Sequence, residues 1–344
     1  MALGALRWAG LALAAAGVAV LLILGGSSHV PARRVADLTP EMNWAYLRLE
    51  GVVSRQPAVD PDSGALKLWL RDETGEILVM AYRAEAGALR AAGPLPVMGD
   101  GLAVEGTLRV REELCTLVIN LPDRVQVRPA EPLALAVEEI RAAPEALAGQ
   151  KVRLRGTLRG LRSPYDGLQL LSLRDETAAI EVVLPPPGEG SAAVLPQLLP
   201  GQALEIIGAV DLYGAVPQIS VGRWSDVALL AGEIGIAAPR RASELAAGDV
   251  GRWARVQGRV AEARPLAADA GLKLALDDGT GRVTVLLWAD LLRALPATGL
   301  AEGATLEVQG QVTEYRGELE IVPELPSDLR LLLPPTPLAA PARR

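Results

Sequence analysis

Apolar and polar residues alternate at three places along this chain of 344 residues. The segments ALKLWL, LQLLSL and GLKLAL end at Leu70, Leu173 and Leu276, and each continues into a charged turn, LRDETG, LRDETA or LDDGTG. This alternation predicts strands with one buried face, and Asp, Thr and Gly are typical of turns. The three leucines are 103 residues apart each time. The chain therefore repeats one unit of the size of a domain.

The rest of each unit also follows a common order. A strand with a glycine precedes the alternating strand, an apolar strand follows the turn, and two further strands close the unit with Gly106, Gly208 or Gly310. The first strands are predicted at 45–53, 151–158 and 255–260, the third strands at 76–82, 179–184 and 282–288, and the clearest helices at 82–92 and 288–295. The predicted order is β-β-β-α-β-β, three times.

This order and two motifs of the third unit resemble a known family. LKLALDDGTGRVTVLLW (272–288) and VTEYRGELEI (312–321) are similar to the OB-fold proteins that bind nucleic acid, the group that includes tRNA-anticodon-binding domains. The resemblance covers about residues 44–331 and implies an all-β fold with short helices, in three tandem five-stranded Greek-key barrels. Such barrels bind oligonucleotides, oligosaccharides or proteins, so the resemblance specifies the fold better than the ligand.

The N-terminal segment differs from the repeats. Residues 8–26 carry no charge and are long enough to cross a membrane as a helix, although a cleaved signal peptide is an alternative. We therefore expect a single-pass membrane protein whose body is extracytoplasmic. The predicted divisions are a membrane anchor or signal segment (1–28), three OB-folds (35–130, 131–233 and 234–332) and a disordered tail (333–344) rich in Pro and Ala.

Strand alternation also predicts which side chains face outward. In the second strand of the first unit, Leu66, Leu68 and Leu70 would point into the barrel, and their neighbours would face solvent. Extending this register to the other strands gives candidate ligand-binding residues, which are Tyr46, Arg48, Lys67, Trp69, Arg71, Tyr82, Lys151, Arg153, Arg155, Arg174, Trp253, Arg255, Lys273 and Trp288. Aromatic rings that stack on bases, interleaved with cations that meet phosphates, are what single-strand binding requires.

A second interpretation of the same residues remains open. The outward rings would also suit packing between neighbouring barrels, and the matched Lys67 and Lys273 would then only reflect duplication. The cations at 151–155 would equally suit a solvated edge strand, and the net charge of −7 disfavours unspecific binding to nucleic acid.

The residues needed for common catalytic sites are scarce. The single histidine, His29, precedes the predicted barrels, so they can hold no Ser-His-Asp or Cys-His arrangement. We therefore expect no enzyme, no cofactor and no metal. The leading hypothesis is a membrane-anchored protein that binds single-stranded nucleic acid, and the alternative is a cell-envelope scaffold whose barrels bind protein or oligosaccharide.

Overall fold

The structure is a computed structural model that describes residues 30–335, apart from 113, 188–193, 195–196 and 296–299. Its secondary structure is mostly β, with a few short helices. The chain divides into two compact units. The first contains the chain up to Pro96 and Asp100–Pro129, and the second contains Val97–Gly99 and the chain from Ala130 onward.

The first unit contains one sheet of eight strands. These are β1 (Ala32–Arg33), β2 (Tyr46–Val53), β3 (Ala58–Val59), β4 (Leu66–Arg71), β5 (Glu76–Ala81), β6 (Gly101–Arg111), β7 (Leu114–Val118) and β8 (Val125–Arg128). Strands β2, β4, β5, β7 and β6 are neighbours in that order, and β6 also pairs with β2. The five strands therefore form a closed barrel, in which β5 and β7 are parallel.

The alternation of apolar side chains explains the core of this barrel. Leu66, Leu68 and Leu70 of β4 are buried, whereas the residues between them are partly exposed, as predicted. Two glycines allow close approach of the strands. A Cβ at Gly51 would collide with the carbonyl oxygen of Arg71, and one at Gly106 would collide with that of Val118.

The second unit contains two sheets, each with its own apolar core. One consists of β9 (Leu133–Ala134), β10 (Lys151–Tyr165), β11 (Leu168–Arg174), β12 (Ala179–Leu184), β13 (Ala203–Tyr213), β14 (Val216–Ser220) and β15 (Val227–Leu229). The other consists of β16 (Trp253–Pro265), β17 (Gly271–Asp277), β18 (Arg282–Trp288), β19 (Thr305–Tyr315), β20 (Glu318–Val322) and β21 (Leu329–Leu333). The pairings β10–β13 and β16–β19 correspond to β2–β6 of the first sheet.

Four α-helices in the described part of the chain accompany the sheets. They are α1 (Arg83–Ala92), α2 (Val137–Ala142), α3 (Pro144–Leu147) and α4 (Ala289–Ala294). Helices α1 and α4 lie where the sequence predicts helices, between the third and fourth strands of their units. Single 3-10 turns, such as Val35–Asp37 and Ala242–Glu244, precede β2 of the first sheet and β16 of the third sheet.

The charged turns connect the second and third strands, as predicted, and they also hold these preceding segments. Asp72 accepts hydrogen bonds from the backbone of its own turn through Oδ1 and from Val35 N through Oδ2. Asp175 and Asp278 do the same for Val137 N and Ala242 N. Each aspartate therefore joins its turn to a helical segment that lies 36 to 38 residues earlier.

The prediction for the N-terminus requires a correction. The predicted anchor at 1–28 lies outside the described residues, as does the tail from 336 onward. Among the described residues, no helix has both the length and the apolar character needed to span a bilayer. The longest, α1, has ten residues where about 20 are required. The prediction of a single-pass membrane protein with an extracytoplasmic body is contradicted by this finding, and we withdraw it.

Candidate nucleic-acid interface

Four outward side chains form a continuous strip across the barrel of the first unit. Arg109 of β6 lies opposite Thr116 of β7, Thr116 opposite Leu78 of β5, and Leu78 opposite Trp69 of β4. Neighbouring strands are about 4.8 Å apart, so the strip is about 14 Å long. We call these four residues the barrel strip.

A tryptophan–arginine pair lies at each end of the barrel strip. The guanidinium carbon of Arg109 is 3.1 Å from the ring centre of Trp44, a residue that is 63% exposed. At the other end, the guanidinium carbon of Arg55 is 5.7 Å from the ring centre of Trp69. Tryptophan is the ring that attracts a cation most strongly, so each pair presents an aromatic surface beside a fixed positive charge.

The charges beside the barrel strip are unequally paired. Glu76 accepts hydrogen bonds from Arg55, Arg71 and Ser54. Burial would raise the pKa of Glu76, but these bonds outweigh burial, so the pKa is lowered. Lys67 lies 3.5 Å from Asp60. By contrast, neither Arg109 nor Arg111 forms an ion pair with a residue that the structure describes. The β6 end of the barrel strip therefore carries positive charge that no described carboxylate neutralises.

The other candidates of the first unit differ in their availability. Arg48 is largely buried because it lies opposite Glu105 on β6 and also binds Glu50. Tyr46 is partly exposed and donates its hydroxyl to Glu105, and partial burial and this carboxylate raise the pKa of Tyr46. Tyr82 is exposed at the start of α1. Lys67, Trp69 and Arg71 share the outer face of β4, as predicted.

The corresponding strip of the second sheet is acidic and polar. Asp211, Gln218, Glu181 and Ser172 lie opposite one another in the same order of strands. Most cations of the basic run at 151–162 form ion pairs or are buried. Arg153 and Arg155 contact Glu205, Arg162 binds Glu181, and Lys151 is buried. The cations that the sequence suggested for phosphate binding are therefore largely neutralised by the protein itself.

The corresponding strip of the third sheet also carries a carboxylate. It consists of Thr313, Glu320, Thr284 and Ala275. Lys273 donates to Glu320 at 3.0 Å and lies 3.4 Å from Glu318, and the bond to Glu320 is the main cause that raises the pKa of Lys273. Trp288 is half exposed at the end of β18.

The remaining candidates lie where the second and third sheets meet. The guanidinium carbons of Arg174 and Arg159 are 4.4 and 5.0 Å from the ring centre of Trp253. Arg255 lies 3.4 Å from Glu176. Burial, and then the charge of Arg159, lower the pKa of Arg174 to about 10, which still leaves it charged at neutral pH. Packing between sheets therefore accounts for the position of Trp253.

Sequence reasoning missed three residues of the most open site. Trp44 precedes the first strand, and Arg109 and Thr116 lie on the fourth and fifth strands, which were not included in the predicted ligand face. The signal that could have found Arg109 was present, because polar and apolar residues alternate from Thr107 to Arg111 as they do in β4, whereas β7, with the sequence LCTLV, shows no such alternation around Thr116. The contact between Trp44 and Arg109 has no comparable sequence signal.

Comparisons with known proteins do not assign this chain to a family. No family model matches the sequence, and no curated protein matches it. Solved structures with similar regions include a replication protein A heterotrimer bound to single-stranded DNA (11% identity, TM-score 0.30, covering 84% of this chain and 94% of that one). Another is the p204 HINb domain (13% identity, TM-score 0.28, covering 52% of this chain and 95% of that one). A third is a murine DNA-binding protein bound to double-stranded DNA (14% identity, TM-score 0.28, covering 55% of this chain and 99% of that one). Likenesses this weak carry no argument about the present chain.

Proposed function

We propose that this chain is a non-catalytic binding protein made of three tandem OB-folds, and that its first barrel binds single-stranded nucleic acid. The repeated strand order supports the three OB-folds, since one long strand in each sheet pairs with two others. Strand β2 pairs with β4 and β6, β10 with β11 and β13, and β16 with β17 and β19. The domain limits 35–130, 131–233 and 234–332 remain predictions.

The proposal that the ligand is single-stranded nucleic acid rests on one observation, the barrel strip with its two tryptophan–arginine pairs. Bases would stack on Trp44 and Trp69, at about 1–3 kcal/mol for each base, and Arg109 and Arg111 would meet phosphates. A strip about 14 Å long suits the lower end of the known range, about four nucleotides for one OB-fold. In the other two strips the carboxylates already occupy the neighbouring cations, since Glu181 is paired with Arg162 and Glu320 with Lys273.

The experiment is fluorescence anisotropy of the full chain with a labelled thymidine oligonucleotide over a series of salt concentrations. Two to four phosphate contacts would lower log K by about 1.4–2.8 for each tenfold rise in salt. The double variant Trp44→Ala/Trp69→Ala should lose at least about 30-fold in affinity, the low end for two stacked bases. Trp288→Ala, which removes a similarly exposed indole from the third sheet, is the matched control and should bind as the natural chain does.

Two results would overturn the proposal: no binding of the oligonucleotide at low salt, or an equal loss of affinity in the control variant.

One observation favours an alternative ligand, a protein or an oligosaccharide. Leu78 and Met80 face outward on β5, and Leu114 at the start of β7 is 74% exposed, which suits an apolar partner. Binding of a protein or an oligosaccharide that does not change with salt concentration and is lost in Leu114→Ser would support this alternative.

A further inference from the structure

The segment at 230–239 connects the second and third sheets, and the backbone of Ile236 is held by both of them. Its N–H donates to Oε1 of Gln309 on β19 (3.0 Å), and its carbonyl accepts from Nε of Arg174 on β11 (3.1 Å). Nearby, the carbonyl of Ile234 accepts from the hydroxyl of Thr157 on β10 (2.9 Å). Because Ile236 is also fully buried, this connection is packed between the sheets.

A bulge in β10 directs an arginine into the same junction. The pairing of β10 with β11 shifts register between Leu158 and Gly160, so Arg159 is the extra residue. A bulge can re-aim a side chain out of the regular ladder. Arg159 reaches Asp328 beyond β20, with Nη1 2.6 Å from Oδ1 and Nη2 2.8 Å from Oδ2.

This ion pair is withdrawn from water. The side chain of Arg159 is 7% exposed and that of Asp328 is fully buried. The carboxylate of Asp328 also accepts from the backbone N–H groups of Glu324 and Leu325. Burial lowers the pKa of Arg159, but the bonds to Asp328 and Glu324 outweigh it and the pKa is raised. Removing one partner of such a pair leaves an uncompensated buried charge, which is strongly destabilising.

The third sheet does not repeat these arginines. Its corresponding bulge falls between Val260 and Glu262, where the extra residue is Ala261. The residue opposite Arg259 is Asp277, whereas the residue opposite Thr157 in the second sheet is Arg174. The arrangement is therefore specific to one junction and is not a general property of the repeat.

We propose that Arg159 and Asp328 dock the third barrel on the second as one rigid body, which fixes the connecting segment and keeps Trp253 and Arg174 from any ligand. Within this body, the bidentate pair selects the partner surface and the stacked Trp253 fills the space beside it. The two barrels then move together. This proposal does not depend on the identity of the ligand.

Hydrogen exchange of the Ile236 amide in the full chain tests the proposal, because that amide is bonded across the junction. In the natural chain it should exchange as slowly as the amides of β11 and β18. In Arg159→Met it should exchange at least tenfold faster, while the β11 and β18 amides stay protected. Arg162→Met, on the same strand but paired with exposed Glu181, is the matched control and should leave Ile236 unchanged.

Fast exchange of Ile236 in the natural chain, or unchanged exchange in Arg159→Met, would overturn the proposal. If Arg159→Met fails to fold, Arg159→Lys replaces it, since lysine keeps the charge but cannot form the bidentate contact. Exchange of Ile236 faster than in the natural chain would again support the docking role, and exchange at the natural rate would contradict it.

Discussion

Asp278, the aspartate in the charged turn of the third sheet, provides a quantitative test of how the segments within one repeat are held together. Oδ1 of Asp278 accepts from the N–H of Thr280 (2.8 Å), the hydroxyl of Thr280 (2.7 Å) and the N–H of Gly281 (3.0 Å). Its Oδ2 accepts from Ala242 N at 2.7 Å. One carboxylate therefore organises the turn and also ties the preceding 3-10 turn to the third sheet.

Replacement of this residue in Asp278→Asn should separate the two roles. The amide oxygen can still accept within the turn, but the amide nitrogen would face the N–H of Ala242 and leave it without its acceptor. Hydrogen bonds to a charged group contribute about 1.5–3 kcal/mol, so we expect the free energy of unfolding to fall by about 2 kcal/mol. Asp277→Asn is the matched control, since Asp277 forms an exposed pair with Arg282 and accepts one bond from Gly279 N, and it should cost clearly less than Asp278→Asn.

Urea unfolding of the full chain, followed by circular dichroism and tryptophan fluorescence, measures both variants under the same conditions. An equal loss in the two variants would refute the reasoning, because it would show that the contact with Ala242 adds nothing. A loss below about 0.5 kcal/mol in Asp278→Asn would refute it as well.

Two further predictions concern the acid stability conferred by Asp278 and the close packing at a strand glycine. Burial would raise the pKa of Asp278, but its hydrogen bonds outweigh burial and lower the pKa from 3.8 to about 2. This stabilisation is complete above about pH 4 and is lost as the pH falls through 2, so acid unfolding of Asp278→Asn should be less steep between these values, and an identical acid transition would contradict this. Gly106→Ala should cost about 1–3 kcal/mol because its Cβ collides with the Val118 carbonyl, whereas Gly87→Ala, in α1 with open space around it, should stabilise by up to about 1 kcal/mol. Urea midpoints measure both, and equal effects of the two alanines would contradict the packing argument.

The sequence predicts the strands and turns well because both depend on local patterns. Alternation in β4 correctly assigns Leu68 to the core and Trp69 to the outer face, and the spacing of the charged turns correctly places the hairpins. The pairing register between strands that are distant in sequence does not depend on local patterns. Arg48 is buried because it lies opposite Glu105 on β6, and no pattern within β2 indicates that pairing.

The bulges limit the prediction of the site for a related reason. Arg159 leaves the alternating register at one inserted position, and its partner Asp328 lies 169 residues away in the sequence. Trp253 has the same predicted position as exposed Tyr46, but the arginines of the neighbouring sheet cover it. Sequence reasoning could therefore name an aromatic and basic face but could not tell which of its members remain open to a ligand.

The most direct test of the central claim is ultraviolet cross-linking of a thymidine oligonucleotide to the full chain, followed by mass spectrometry of the peptides. The barrel strip predicts cross-links in peptides that contain Trp44 or Trp69 and none in peptides from residues 151–333. Cross-links confined to that second region, or none at saturating oligonucleotide, would contradict the claim that the first barrel binds single-stranded nucleic acid.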